Sequence, residues 1–294
     1  MINRYHKTAL STGSIIIPQC GIDSVPSDLI AFLLVKTVRD TLNVGTREVI
    51  VSQQKFNMMP SGGTLNTLLT MRDSYSLSEL KTAVTPFALS PVPHPNPHGP
   101  PRPLSEKILG VRHISDLGFQ TDALMATMDR AIVGRSWGLF DQGKYYGPNF
   151  SFVESLRARN MFQGVLTHFA IMFGFLGLML GPVRWLLKKL VYQPGEGPEM
   201  HTTGENQLIY RAAAYPDVPE ADGVKRAIAD FEWTGSGYYL TGLFLAEAAM
   251  TILREKNTEA HRIGGGVLTP ATLGVEYAER LKDAGVKLSL RMER

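Results

Sequence analysis

The chain passes from strand to helix at SIIIPQCGIDSVPSDLIAFLLV, residues 14–35. Ser14 to Pro18 is a short β-branched run and reads as a buried strand. A turn at Cys20 to Ser24 follows. Ser24 then suits a helix cap, Pro26 fits the first turn, and Asp28 complements the positive helix end. Ile30, Leu33, Leu34 and Val38 recur at helical spacing, so one face of that helix is apolar. Strand–turn–helix is the unit from which parallel α/β sheets are built.

Outward from this unit the pattern stays mixed. Arg47 to Gln54 reads as a second strand, centred on Val49, Ile50 and Val51. The PSGGT turn, Pro60 to Thr64, opens a helix to about Asp73. Eight prolines between Pro86 and Pro103 rule out a core strand or helix there. Leu124 to Arg135 reads as a further strand. Leu208 to Tyr215 and Val224 to Trp233 read as a hairpin pair, and Thr241 to Glu255 as a helix. Thr269 caps and Pro270 starts a last helix, with Leu273, Tyr277 and Leu281 on one face. Gly285 ends it, and Val286, Leu288 and Leu290 alternate as a closing strand.

The 294 residues suffice for one large or two small domains, and a net charge of +3 with no basic aromatic stripe gives no reason to expect nucleic acid. A single cysteine, Cys20, excludes an internal disulfide and a cysteine-based zinc site. MINRYHKTAL lacks the apolar run of a cleaved secretory leader.

Val165 to Val183 is the most apolar stretch, with only Thr167 and His168 clearly polar. Arg184, Lys188 and Lys189 follow it. Its 19 residues are marginal for a membrane span, which takes about 20. Gly174, Gly177, Gly181 and Pro182 interrupt it. The expectation is a re-entrant or surface insertion into a membrane or lipid surface, with Trp185 and Tyr192 as interfacial anchors and the positive Arg184, Lys188 and Lys189 on the cytoplasmic side. A buried helix is the alternative.

Several groups are candidates for chemistry. Amides of Ser61, Gly62, Gly63 and Thr64 at a helix start would suit an anionic or substrate group, unless the turn is merely capped. Asp23 and Ser24 lie at the turn where ligands meet open α/β sheets, and capping is the competing role. GSGYYLTG, Gly235 to Gly242, has a strand before it and a helix after it. Its glycine spacing departs from a dinucleotide loop because Leu240 stands at the third glycine, but Tyr238 and Tyr239 remain pocket candidates. GRSWG at Gly134 to Gly138 matches a nucleophile elbow only in spacing. His94 and His98 lack a third ligand, so no metal site is assigned.

The run IIIPQCGIDSVPSDL, Ile15 to Leu29, resembles a signature of saccharopine-dehydrogenase-like oxidoreductases, the group that includes trans-acting enoyl reductases; their common form has Phe where this chain has Ile22. In chain order, PSGGT, MDRAIVGRSWGL (Met128 to Leu139), PGEGP (Pro194 to Pro198), GSGYYLTGLFLAEAAMTIL (Gly235 to Leu253) and GGGVLTPATLGVEYAERLKDAG (Gly264 to Gly285) resemble the same family. The resemblance implies an α/β (α+β) fold, the remnant of a Rossmann-type sheet joined to a mixed sheet with flanking helices. It also implies NADP- or NAD-linked reduction of small hydrophobic, polyketide- or lipid-like substrates. The family's first half carries a glycine fingerprint, and no G-x-G-x-x-G occurs here. No cofactor-binding residue is therefore assigned, and a partner is expected over the sheet edge of the Ser14–Pro18 strand.

The expected organisation is a Rossmann-derived part over 1–45, an α+β substrate part over 46–160, the apolar segment over 161–193 and a C-terminal part over 194–294. Two other functions stay open. One is a cofactor-independent enzyme of secondary metabolism, and the other is a non-catalytic lipid-surface protein.

Overall fold

The computed structural model describes residues 1–83, 85–197, 206–219 and 224–293. Helix α1 (Ile2–Thr12) leads into β1 (Ile15–Ile16) and α2 (Val25–Leu42), followed by β2 (Thr46–Phe56). Then come α3 (Gly62–Ser74), α4 (Leu77–Ala83), α5 (Leu104–Leu109), β3 (Arg112–Ile114), β4 (Gly118–Asp122), α6 (Ala126–Leu139) and β5 (Ser151–Ala158). Helices α7 (Met161–Leu178) and α8 (Gly181–Leu190) precede the hairpin β6 (Gln207–Pro216) and β7 (Arg226–Thr234). The chain closes with α9 (Gly237–Arg254), α10 (Glu259–Ile263), β8 (Gly266–Val267), α11 (Gly274–Asp283) and β9 (Lys287–Glu293).

The expected mixed α/β architecture is present. One sheet has the strand order β3-β4-β5-β2-β6-β7-β9. Strands β2 and β5 are parallel, and every other neighbouring pair is antiparallel. Strand β1 is separate: it pairs in parallel with β8, so one of its edges is covered from within the chain.

Alternation along the strands sets the core. Val49 and Val51 of β2, Phe152 of β5, Leu208, Tyr210, Ala212 and Ala214 of β6 and Ala227, Ala229 and Phe231 of β7 all turn to one face and pack with α2. The alanines let α2 lie close to the sheet, and its own Leu29 to Val35 are almost wholly inaccessible.

Three expectations need correction. Leu124 to Arg135 is not a strand, because Ala126–Leu139 is helix α6. The β-branched pair Ile132–Val133 imitates a strand, and because residues 131–138 are all buried no polar face marks the helix in the sequence. Its glycines serve close packing: a Cβ on Gly134 would lie 3.0 Å from Phe87, and one on Gly138 only 2.2 Å from Ser90 Oγ. The last helix does not start directly at Pro270. Pro270–Leu273 is a 3-10 turn, and Gly274 at φ +76° separates it from α11. Finally, Ser14–Pro18 is not a buried strand of the main sheet, since only Ile15–Ile16 pair, half-buried, with β8; the apolar run 165–183 breaks between Leu178 and Gly181, as its glycines and proline lead one to expect. Of the PGEGP turn, Pro198 lies outside the described residues.

Asp28 does more than complement a helix end. Fully buried, it accepts Ser136 Oγ on α6 at 2.5 Å and the amide of Ala271 at 2.7 Å. Ser136 in turn meets Thr269 Oγ1 at 2.7 Å. One carboxyl thus joins α2, α6 and the segment before α11. Ser24 sits at the N-cap of α2, but its side chain makes no capping bond.

Burial pushes the Asp28 pKa up to about 7, against the bonds from Ser136 and Ala271. The folded protein therefore binds this proton more tightly than the unfolded chain, whose carboxyl titrates near 3.8. Stability is greatest below that value and falls as pH rises towards 7, by at most about 1.4 kcal/mol per pH unit from this group. Asp28→Asn should flatten that slope while keeping the fold, measured by thermal unfolding at several pH values from 4 to 8. Equal slopes in both proteins would remove Asp28 as its source.

Candidate functional site

On the helix-facing side of the sheet, the alternation that buries Val49 and Val51 puts Gln53 in the next inward position. On β5 the same step after Phe152 gives Glu154. Both are buried. Gln53 lies opposite Tyr210 in the register of β2 and β6. Polar groups at core positions of adjacent strands require partners, and here the first turns of α2 and α6 supply them.

Glu154 accepts Ser27 Oγ at 2.9 Å and Gln53 Nε2 at 2.5 Å. Asp129, also wholly buried, stands against Glu154 with Ser24 close by. Among the described residues no N–H or hydroxyl donor bonds the Asp129 oxygens in full hydrogen-bond geometry, although the Ser24 hydroxyl lies near enough to favour its charged form. A proton shared between the two carboxyls satisfies both. Burial raises the Asp129 pKa strongly, and the neighbouring Glu154 charge adds to it. Burial also raises Glu154, but its donors oppose this. Burial and the neighbouring charge thus favour the protonated form most strongly at Asp129, while the donors around Glu154 favour its charged form.

Asp23 completes the group at the surface. Its side chain reaches solvent, yet the surrounding protein is dense enough to raise its pKa. It lies within electrostatic reach of Asp129, Glu154 and Tyr210. Three carboxyls thus run from solvent into the core.

Beside Asp23 the structure joins two candidate groups far apart in sequence. The Ser61 amide donates to Tyr238 Oη at 2.6 Å, and the hydroxyls of Ser61 and Thr64 also lie against that oxygen. Partial burial alone would raise the Tyr238 pKa, but the Ser61 and Thr64 bonds outweigh it and hold the phenol below its ordinary value. Met58 and Ile22 close over Gly237, where a Cβ would fall 2.7 Å from Met58 Sδ and 3.2 Å from Ile22 Cδ1. The Ile22 amide donates to Thr241 Oγ1 at 3.2 Å, tying the turn before α2 to α9. Tyr239 stacks on Trp233, with ring centroids 6.0 Å apart and planes at 10°. Tyr238 and Tyr239 stay exposed and form an aromatic shelf beside Asp23.

The other helix starts are filled by the chain itself. The Gly62 amide donates to Glu196 O at 2.9 Å, and a Cβ there would overlap Gln193 O. A Cβ on Gly63 would meet only Ser61 Oγ, at 3.7 Å, so that position is open. Ser236 Oγ caps α9 by accepting the Tyr239 amide.

No family model matches the chain. It is 29% identical over 307 residues to the trans-acting enoyl reductase of Mycobacterium ulcerans, an alignment covering 98% of this chain and 70% of that protein. It is also 29% identical over 305 residues to the trans-acting enoyl reductases of Mycobacterium bovis and Mycobacterium tuberculosis, covering 97% of this chain and 69% of each. The chain is a relative of the trans-acting enoyl reductases.

Asp23, Ser61, Thr64 and Tyr238 come together, Tyr239 borders them, and Ser24 instead faces the buried Asp129. Ser136 of the GRSWG motif lies inside α6, fully buried and bonded to Asp28, and is not on an elbow. His94 is buried, stacked on Phe87 at 3.9 Å, and its Nδ1 accepts the Asn96 amide. Asp129, Glu154 and Gln53 were not picked out from sequence. Their signal was a polar residue where strand or helix periodicity demands an apolar one.

Asp129→Asn supplies an N–H to Glu154 in place of the shared proton. It should keep the fold and raise stability above neutral pH relative to the unaltered chain. Glu154→Leu strands the Ser27 and Gln53 donors and should lower stability by roughly 1–3 kcal/mol. Chemical denaturation at pH 8 checks both, and a destabilised Asp129→Asn protein would refute the shared proton.

Proposed function

We propose that the chain is an enoyl-reductase-type oxidoreductase acting on apolar, polyketide- or lipid-like acyl chains. The names of its relatives support the reaction class. The observation that carries the reading is Tyr238 Oη at the start of α3, held by the Ser61 amide and beside Asp23.

Saturating an enoyl double bond adds one hydride and one proton, and the residues at this site address the proton. Because Tyr238 Oη accepts the Ser61 amide, its own proton is available to a substrate carbon. The helix start and its hydroxyls favour the phenolate left behind. Asp23 returns the proton from solvent, with the Asp129–Glu154 pair as a buried reserve. The first-turn amides of Gly63 and Thr64 take the substrate carbonyl oxygen. The shelf of Tyr238, Tyr239 and Trp233 takes its apolar body.

A nicotinamide nucleotide, NADP or NAD, is the hydride source that the resemblance implies. Its pyrophosphate does not fit the helix starts around Tyr238. The start of α2 faces the carboxyls of Asp23, Asp129 and Glu154, which repel phosphate. The starts of α3 and α9 bond Tyr238, Glu196 and Ser236. In this reading the nucleotide is held away from these helix starts. The same observation favours a second reading, turnover of an acyl substrate with no nucleotide at all.

The proposed location is the cytosolic face of a membrane or lipid droplet, with α7 and α8 laid on the surface. Helix α7 is long and apolar enough to span, and it is barely buried. Its first half is held by Gly164 packing on Val111 and by His168 Nδ1 bonded to Asp122 at 2.6 Å. Beyond that, Phe173, Phe175 and Leu176 face outward, and the break at Met179–Leu180 turns the chain into α8 with Trp185, Leu186 and Leu190 exposed. Lys189 Nζ lies 3.6 Å over the Trp185 ring, a pairing suited to the headgroup zone.

Two experiments test these statements. Purified protein is given a medium-chain enoyl thioester with and without millimolar NADPH, and product is read by mass spectrometry. Tyr238→Phe should slow saturation of the double bond about 10²- to 10⁴-fold, with Tyr239→Phe near the unaltered rate. Full activity of Tyr238→Phe, or no saturated product, would overturn the reading, and nucleotide-independent turnover would support the second one. In a flotation assay with phosphatidylcholine–phosphatidylserine vesicles, Phe173→Asp with Leu176→Asp should abolish recovery with lipid while leaving circular dichroism unchanged. Undiminished flotation of that variant would rule out α7 as the anchor.

A further inference from the structure

We infer that the cavity beneath the proline loop is a second ligand site, one that takes a phosphate ester bearing an apolar group. The cavity measures about 520 Å³, within the range that holds small organic ligands. Its polar wall carries Arg102, Lys107 and Arg130, with His98 beside them, and its apolar wall includes Phe87 and Phe152.

The charge in this cavity is unbalanced. Glu48 is its acidic lining residue, and Glu48 Oε1 already faces Arg112 at 3.4 Å. Asp122 attracts Arg130 from a distance, but it is bonded to His168 at 2.6 Å. Arg130 Nε is wholly inaccessible and has no acceptor among the described residues. Burial lowers the Arg130 pKa, and the Arg102 charge lowers it further. Two guanidiniums held together with one donor buried and unmet is a costly arrangement. An anion with several acceptor oxygens offsets the neighbouring positive charges of Arg102 and Arg130 from the cavity side, and phosphate matches the fork of an arginine. Phe87 stacks on His94 and meets Trp137 edge-on, which fixes the apolar wall.

This site is distinct from the one at Tyr238. It adjoins Glu48 and Ser151, paired at the starts of parallel β2 and β5. Ser61 and Tyr238 lie past the other end of β2, beyond Phe56. Phe56 lies eight steps along the strand from Glu48, roughly 25 Å. The inference therefore stands whether or not the chain reduces an enoyl group.

Phenyl phosphate and inorganic phosphate are the probes, followed by calorimetry and phosphorus NMR on the full chain. Phenyl phosphate should bind at least about tenfold more tightly than inorganic phosphate, and more weakly as salt rises. Arg102→Ala and Lys107→Ala, both at exposed positions, should each weaken it severalfold, and Arg130→Met about tenfold or more. Thermal unfolding confirms that each variant is folded; if Arg130→Met is not, the two exposed variants decide. No binding at millimolar phenyl phosphate, or binding indifferent to these substitutions, would overturn the site.

Discussion

The carboxyl of Asp28 is the constraint on which the rest of this structure hangs. It lies at the end of the turn that begins α2, and it is bonded to α6 and to the segment before α11. A buried acid needs donors on both oxygens, and those donors come from parts of the chain 108 and 243 residues away. Meeting that need fixes how α2 meets α6, and so which residues of the two first turns face each other. Arg135 reinforces the junction from the other side of α6, donating to Val267 O and Leu89 O.

Once α2 and α6 are set, the acid pair follows. Ser24 and Ser27 on one helix and Asp129 on the other descend on Gln53 and Glu154 of the sheet. A core of valine and alanine continues on both sides of this patch, so apolar residues would fit these positions and pack well. Placing two carboxyls there opposes folding unless a proton is shared between them. An arrangement that is stable only with a bound proton, connected to solvent through Asp23, fits a chain that moves protons better than one that merely packs.

How much of this was legible depended on range. Strand β2, the β6–β7 hairpin and helices α2, α9 and α11 showed in local periodicity, because each buries one face against the sheet. Helix α6 did not, since Ile132–Val133 imitates a strand and its glycines, placed for the proline loop, weaken a helical pattern. Strand β5 went unread although SFVES alternates, because the polar Glu154 occupies an inward position. The turn at Ser61 and the tyrosines after Gly235 were each visible as local features. That Tyr238 closes the start of α3 was not, since 177 residues lie between the two bonded groups. Periodicity reports which face of an element is buried, but not which distant element covers it.

Helix α6 also shows how one element serves two compartments. Successive residues on a helix point about 100° apart. Asp129 therefore turns towards Glu154 and the carboxyl group, while Arg130 turns away to the proline-loop cavity. Here the helix geometry parts them, and each stays buried among groups that do not satisfy it: an acid among acids and a cation beside a cation. Both mismatches are resolved by something mobile, a proton in one case and an anion in the other. Because the backbone of α6 is clamped by Arg135 and Ser136 just beyond, neither side chain can escape by shifting the helix, and the two demands stay fixed in place.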